Sequence, residues 1–569
     1  MNIIPKPQKI TFSGKYVPKG SVNESFDADM GKEEYSLKIN RDGVFLKGGS
    51  ERALHYADIT YKQILREDGN MLPECEIRDK PVFSYRGFMV DVCRHFFTVE
   101  EIKKIIDAAA MLKFNYFHFH LSDDQGFRAE IKKHPELSLV GGSREGSHFG
   151  KKENDDSVYS HFYTRAQLKE IAEYCKERYI EVIPEIDIPG HASAILQAYP
   201  ELSCNKEQVK AKTSQGIFKD LLCAGNPATL KLIYDILDEL CDIFPGEYFH
   251  LGGDEAPKDK WKKCPKCQSK IRELGLKNEE ELHCSLVNRA AEYLEKKGRR
   301  VICWNEAANG GILDKNITLA YWLDKTGVSV KRANEGCPVI IEKFKPYYAD
   351  YPYGMYPLKD VYMFDPKSIK GLTETGKKSI IGVETPIWTE YITDFERLCY
   401  MCFPRWFAVA DTAWNGRDEK NYREFRIAAK SYCDALRKMG VSFAPECDWD
   451  ESPQKRLRET LAFADNLMTK NMLRQLLMSK NKHKQIQISK PEPKPKPKSK
   501  PNPKQLRITE SRQKTQINNQ IPTSKTNICR SKDKKTHPTF VRCVFLRLTA
   551  GGADAETWAK NNGYTFIAQ

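Results

Sequence analysis

The sequence predicts an α/β protein: a (β/α)8 TIM barrel preceded by a small α/β domain and followed by a disordered, basic C-terminal tail. Three observations carry this reading. Between Pro81 and about residue 391, eight apolar strand candidates alternate with helical or long connecting segments, and eight parallel strands with helices between them close into a barrel. Each candidate strand ends at or just before a residue able to touch a polar ligand, which is where such a barrel builds its active site. A chain of 569 residues is also too long for one ordinary core. The expected divisions are 1–80, 81–445 for the barrel, 446–480 for a helical segment and 481–569 for the tail.

Residues 1–80 hold short alternating segments, YSLKIN and GVFLKG, separated at Asp42-Gly43, a strong hairpin signal. A helical stretch, RALHYADITYKQILRE, follows. No chemistry is concentrated there.

The eight barrel strands are read as GFMVDVC, NYFHFHLS, YIEVIPEID, EYFHLGGDE, RVICWNEA, ITLAYWL, PVIIEKF and IIGVETPIW, with helices notably over 99–113, 164–178, 279–297 and 327–335. Their ends present, in order, Arg94; Asp123; Asp187 with His191; Asp254 with Glu255; Trp304; Trp322; Tyr348 with Asp350; and Trp388 with Glu390. Three Trp and a Tyr among carboxylates and one Arg suit a sugar, whose C–H faces pack on rings while its hydroxyls take charged hydrogen bonds. No GxGxxG or GxxxxGK[ST] argues for a phosphate site, and no cofactor is expected. A metal centre at His118, His120, Asp123 and Asp124 is the weaker reading. No HExxH is present, and alternate strand residues more often fill a barrel interior.

HLGGDE, His250 to Glu255, is the stretch on which the chemistry turns. Its two glycines remove bulk where something must approach the backbone. Neighbouring residues on an extended strand point to opposite sides, so Asp254 and Glu255 do not read as the usual carboxyl pair about 5 Å apart. With Glu255 as proton donor, Asp254 is left to position a substrate group, which suggests a substrate carrying its own nucleophile. A carboxyl beside another, in a site lined with Trp, is expected to have a raised pKa. His250 and Asp124 read as structural.

In this order, RGFMVDVCRHF, HFHLSDDQGF, PEIDIPGH, HLGGDE, CWNEA, YYADY and PIWTEYI resemble the family 20 glycoside hydrolases, the β-N-acetylhexosaminidases. The resemblance covers about residues 1–440, because NIIPKPQKI and ALHYADITYKQIL resemble the small domain preceding the barrel in many members. It implies that the carbonyl oxygen of the substrate's 2-acetamido group attacks the anomeric carbon, giving an oxazolinium ion and overall retention. By the same resemblance Glu255 is the acid and then the base, Asp254 holds the acetamido N–H, and Tyr348 bonds the acetamido oxygen. Trp304, Trp322 and Trp388 wall the acetamido methyl and sugar face, while Arg94, Asp350 and Glu390 hold hydroxyls in a closed pocket for a terminal residue. Asp123 and His191 lie beside the catalytic carboxyls and orient them. A carbohydrate-binding protein on a dead barrel would have no need of Asp254, Glu255 and Tyr348 together. Release of a disaccharide would need a more open pocket than Arg94 and Glu390 suggest.

From residue 481 onward, 19 Lys and Arg face 5 Asp and Glu, which accounts for the whole net charge of +14 and leaves residues 1–480 neutral. No specific nucleic-acid partner is therefore expected. KPEPKPKPKSKPNPK should form an extended linker, and the tail is a candidate for contact with anionic polymers or surfaces. No signal peptide is visible, and seventeen scattered cysteines read as reduced thiols, so a cytoplasmic location is expected. Cys264 and Cys267 have a CxxC spacing, but structural zinc needs four ligands and no second CxxC or paired His follows. They read as two ordinary thiols in a turn.

Overall fold

The computed structural model describes residues 2–68, 70–416 and 420–467. The tail from 481, with the last part of the helix read to residue 479, lies outside the described residues.

Five strands form the N-terminal sheet in the order Lys9–Pro18, Met71–Asp79, Tyr35–Asn40, Gly43–Gly48 and Val22–Phe26. Asn40 pairs with Gly43, so the hairpin loop is Arg41-Asp42, one residue earlier than its sequence signal. Alternation in Tyr35–Asn40 sends Tyr35, Leu37 and Ile39 inward, where they meet Ala53, Ala57 and Ile64 of the helix Glu51–Asp68.

Eight parallel strands close the barrel in chain order: Tyr85–Asp91, Tyr116–His120, Glu181–Glu185, Tyr248–His250, Arg300–Trp304, Thr318–Tyr321, Val339–Ile341 and Ile380–Ile387. Seven fall within the segments read from the sequence, and the first, Tyr85–Asp91, begins two residues before its segment at Gly87. Their outward residues, such as Phe117 and Phe119, pack on the helices, which explains the near-continuous apolar runs. Thr98 and Glu101 form a capping box on the helix Val99–Ala110, as Thr164 and Gln167 do on Arg165–Lys176. The helices Phe395–Cys402, Arg405–Asn415 and Tyr422–Lys438 follow the last strand, then Pro453–Leu467. A hairpin, Ser143–Ser147 with Asp155–Ser160, interrupts the loop after the second strand and has no counterpart in the sequence reading.

The small domain grips the barrel through buried polar contacts. Lys113 and Asp79, both fully buried, lie 3.5 Å apart, Trp414 Nε1 donates to Asp79 at 2.9 Å, and Arg86 pairs with Glu33 at 2.8 Å. Arg86 sits near the N-terminal end of its strand, so these contacts leave the C-terminal loops free for chemistry.

Candidate active site

The site rests on a polar layer at the C-terminal strand ends. Asp91, His120, Glu185 and His250 are in register on adjacent strands. Glu185 accepts from His120, from His118 at 3.0 Å and from Trp304 Nε1 at 2.8 Å, and it lies 3.0 Å from His250 Nδ1. With so many partners its carboxyl stays well below the usual carboxylate range despite full burial. His118 and His120 are thus bound into the barrel interior, as expected of alternate strand residues. Asp124 accepts from the Ser193 amide and hydroxyl and holds that loop, as a structural residue does.

A chain of charges runs from this layer to the catalytic carboxyls. Arg94 pairs with Asp91 at 3.0 Å, with Asp123 at 2.8 Å and with Glu390 at 3.8 Å. Its guanidinium lies over the Trp388 ring, 4.9 Å from the centroid. Asp123 Oδ1 lies 3.1 Å from His191 Nδ1, and His191 Nε2 is 3.9 Å from Asp254 and 3.8 Å from Glu255. Burial alone would lower the His191 pKa, but Asp123 and Asp124 outweigh it and hold the imidazole well above its ordinary value. A fixed imidazolium therefore faces both carboxyls.

Asp254 and Glu255 are not on a strand, which corrects the argument from strand alternation. The fourth strand ends at His250, and Gly252, Gly253 and Glu255 take φ of +64°, +101° and +40°. That turn brings both carboxyls to the same imidazole nitrogen. What the glycines admit is Asp187: a Cβ on Gly252 would lie 1.9 Å from Asp187 Oδ1. The Gly253 amide donates to that oxygen at 2.9 Å. Burial, with the neighbouring Asp187, raises Asp254 well above the carboxylate range, and burial lifts Asp187 to about 8. Burial also pushes Glu255 up to about 7, with Asp254 and Glu306 adding to the push and His191 opposing it. A carboxyl near half-protonation at neutrality is suited to give up a proton and take it back.

An aromatic wall adjoins this charged side through Trp388. Trp322 stacks on Tyr348 with centroids 6.2 Å apart, Tyr348 meets Trp388 at 6.3 Å, and Trp388 meets Trp304 at 5.9 Å. Trp304 is fully buried and forms the floor. Burial raises Tyr348 well above its ordinary value, so it stays a phenol able to donate. Asp254 Oδ1, Asp350 Oδ1 and Trp322 Nε1 are buried without a hydrogen-bond partner among the described residues, the pattern of groups aimed at a ligand.

The profile of glycosyl hydrolase family 20, catalytic domain, matches residues 83–417, and that of the family's domain 2 matches residues 11–80. The chain belongs to glycosyl hydrolase family 20. A β-hexosaminidase of Porphyromonas gingivalis is 38% identical over 433 residues, 72% of this chain and 54% of the relative, so the family 20 chain spans about half of that protein's length. A β-hexosaminidase of Akkermansia muciniphila is 34% identical over 69% of this chain and 82% of its own. Among solved structures, a β-N-acetylhexosaminidase superposes with TM-score 0.73 at 30% identity, covering 80% of this chain and 98% of that one. A family 20 exo β-N-acetylglucosaminidase from Vibrio harveyi in complex with N-acetylglucosamine superposes with TM-score 0.69 at 26% identity, covering 78% of each.

The family 20 fold gathers all eleven sequence-derived candidates at one end of the barrel. Arg94, Asp123, His191, Asp254, Glu255 and Glu390 form the charged side, and Trp304, Trp322, Tyr348 and Trp388 the aromatic side. Asp350 is raised well above the carboxylate range by burial and then by Glu390, which places it near that acid. Three positioning residues escaped the sequence reading. Asp187 stood among the strand ends without a role, although it holds the Gly253 amide. Glu306 accepts from the Glu255 amide at 3.0 Å, and its only signal is its place in CWNEA. Arg405 donates to the carbonyls of Ala349 at 2.8 Å, Tyr351 at 2.7 Å and Tyr356 at 3.1 Å. It thereby clamps the loop bearing Tyr348 and Asp350, and nothing local in the sequence marks it.

Proposed function

We propose that this family 20 glycoside hydrolase is an exo-acting β-N-acetylhexosaminidase, releasing terminal N-acetylglucosamine or N-acetylgalactosamine with retention. One observation carries the reading. A buried carboxyl with an unpartnered oxygen, Asp254, stands with an aromatic wall and beside a second carboxyl, Glu255, held near neutrality.

In the first step the acetamido oxygen bonds to C1 as the C1–O glycosidic bond breaks, and Glu255 gives its proton to the departing oxygen. Asp254 accepts the acetamido N–H, and the positive charge growing on the oxazolinium ring pulls its raised pKa back down toward the carboxylate that offsets that charge. Tyr348 donates to the acetamido oxygen and keeps it within reach of C1. In the second step water bonds to C1, the ring C1–O bond breaks, and Glu255 takes the water's proton. Two displacements at one carbon retain its configuration. Trp304, Trp322 and Trp388 face the acetamido methyl and sugar ring, while Arg94, Asp350 and Glu390 hold hydroxyls and close the pocket behind one terminal residue. For the segment from 481, its charge supports contact with an anionic polymer or surface.

The test is hydrolysis of two aryl β-glycosides, one of N-acetylglucosamine and one of glucose, by wild type and Glu255→Gln. Turnover of the acetamido sugar alone, slower in the variant, is expected. Equal turnover of the glucoside would mean a protein nucleophile, and turnover of neither would favour a binding protein.

A further inference from the structure

The CxxC pair is not alone. Cys204, Cys223, Cys264 and Cys267 converge so that one sulfur from each lies within 4.8 Å of the others. The separations are 3.6 Å for Cys223 to Cys267, 3.7 Å for Cys223 to Cys264 and 3.9 Å for Cys204 to Cys267. A tetrahedral ion with Zn–S bonds of about 2.3 Å holds its sulfurs about 3.8 Å apart. A disulfide would need about 2.05 Å. Three of the four thiols are buried and Cys204 is half-buried.

We propose that these four cysteines form a structural tetrathiolate zinc site, distinct from the catalytic centre. The Gly225 amide donates to the sulfurs of both Cys223 and Cys267. Glycine is required there, because a Cβ on residue 225 would lie 2.2 Å from the Lys266 backbone carbon. The turn after Cys223 is thus built to press against the start of the helix Pro265–Glu273, which has Cys264 as its N-cap and carries Cys267 in its first turn, not the simple turn read from the sequence. Neutral thiols are weak hydrogen-bond donors that offer little reason for such close convergence.

The site joins two different loops. Cys204 and Cys223 follow the third barrel strand, which leads to His191, and Cys264 and Cys267 follow the fourth, which leads to Glu255. Leu222 donates its amide to Pro189, two residues before His191, at 3.1 Å, and its carbonyl accepts from Trp261 Nε1 at 3.0 Å. Zinc here would brace together the loops that present the imidazolium and the acid, and its binding energy would add to folding stability.

The test is metal analysis of the full-length chain, purified without chelator from zinc-supplemented culture. About one zinc ion per chain is expected. Replacement by cobalt should give thiolate-to-cobalt charge transfer in the near ultraviolet and the d–d bands of a tetrahedral site. Cys204→Ser, the half-buried position, and Cys264→Ser should each lose most of the zinc. Chelation should lower the melting temperature of the wild type and zinc should restore it, a readout that does not depend on the variants folding. A folded, metal-free chain would overturn the proposal, as would a disulfide among these four residues or a bound iron in place of zinc.

Discussion

The Glu255 carboxyl lies 3.8 Å from Nε2 of His191, whose other nitrogen is 3.1 Å from Asp123. The acid thus ends a line of fixed charges that begins at Arg94. Its proton affinity is a balance, with burial pushing up to about 7 against the pull of the imidazolium. Because Glu255 must enter the first step protonated, kcat/KM is expected to fall as pH rises through about 7. A pH–rate profile on the acetamido aryl glycoside checks this. Glu255→Gln should abolish that limb and cost about 10²–10⁴-fold on substrates with poor leaving groups. Normal turnover of natural oligosaccharides by the variant would remove Glu255 from the role.

His191→Gln tests the line of charges itself. Removing the imidazolium leaves Asp123 facing the site without that partner, and both changes raise the Glu255 pKa. The alkaline limb should therefore move upward by about half a unit or more. A residue that only packed the loop would lower kcat and leave the limb in place.

Asp254→Asn should lower kcat on acetamido sugars by about 10²-fold or more, since the side chain no longer offsets the charge of the forming ring. A thiazoline mimic of that ring should inhibit the wild type strongly and the variant weakly. Equal inhibition of the two would separate Asp254 from the acetamido group.

Gly252→Ala should be as damaging as a loss of chemistry, though residue 252 touches no substrate. Its Cβ would meet Asp187 at 1.9 Å, and φ of +64° is unfavourable for alanine. Destabilisation of about 1–3 kcal/mol is expected by thermal unfolding, with kcat reduced as Asp187 is displaced from the Gly253 amide.

Much of the barrel was legible because its strands are buried on both faces and read as apolar runs, while Gly and polar residues mark their ends. The candidate residues were legible for the same reason, one cluster per strand end. Glu255 resisted local reasoning: strand alternation appeared to separate it from Asp254, whereas a run of positive φ folds both carboxyls toward His191. Cys204 and Cys223 were invisible as partners of the CxxC pair, because their proximity arises from two loops packing together and not from spacing along the chain. Arg405 was invisible for a related reason, since its partners are backbone carbonyls that carry no sequence signature.

The Arg405 clamp also has a meaning for dissection of the chain. A fragment ending at residue 391 would hold all eight strands and every side chain assigned to substrate, yet would lack the guanidinium that holds the seventh loop at three carbonyls. Completeness of the barrel and completeness of the catalyst thus fall at different points along the polypeptide. During synthesis, the loop bearing Tyr348 and Asp350 gains this clamp only after the helix Arg405–Asn415 has emerged and docked. A separately supplied C-terminal piece carrying that helix would be the natural complement to such a fragment.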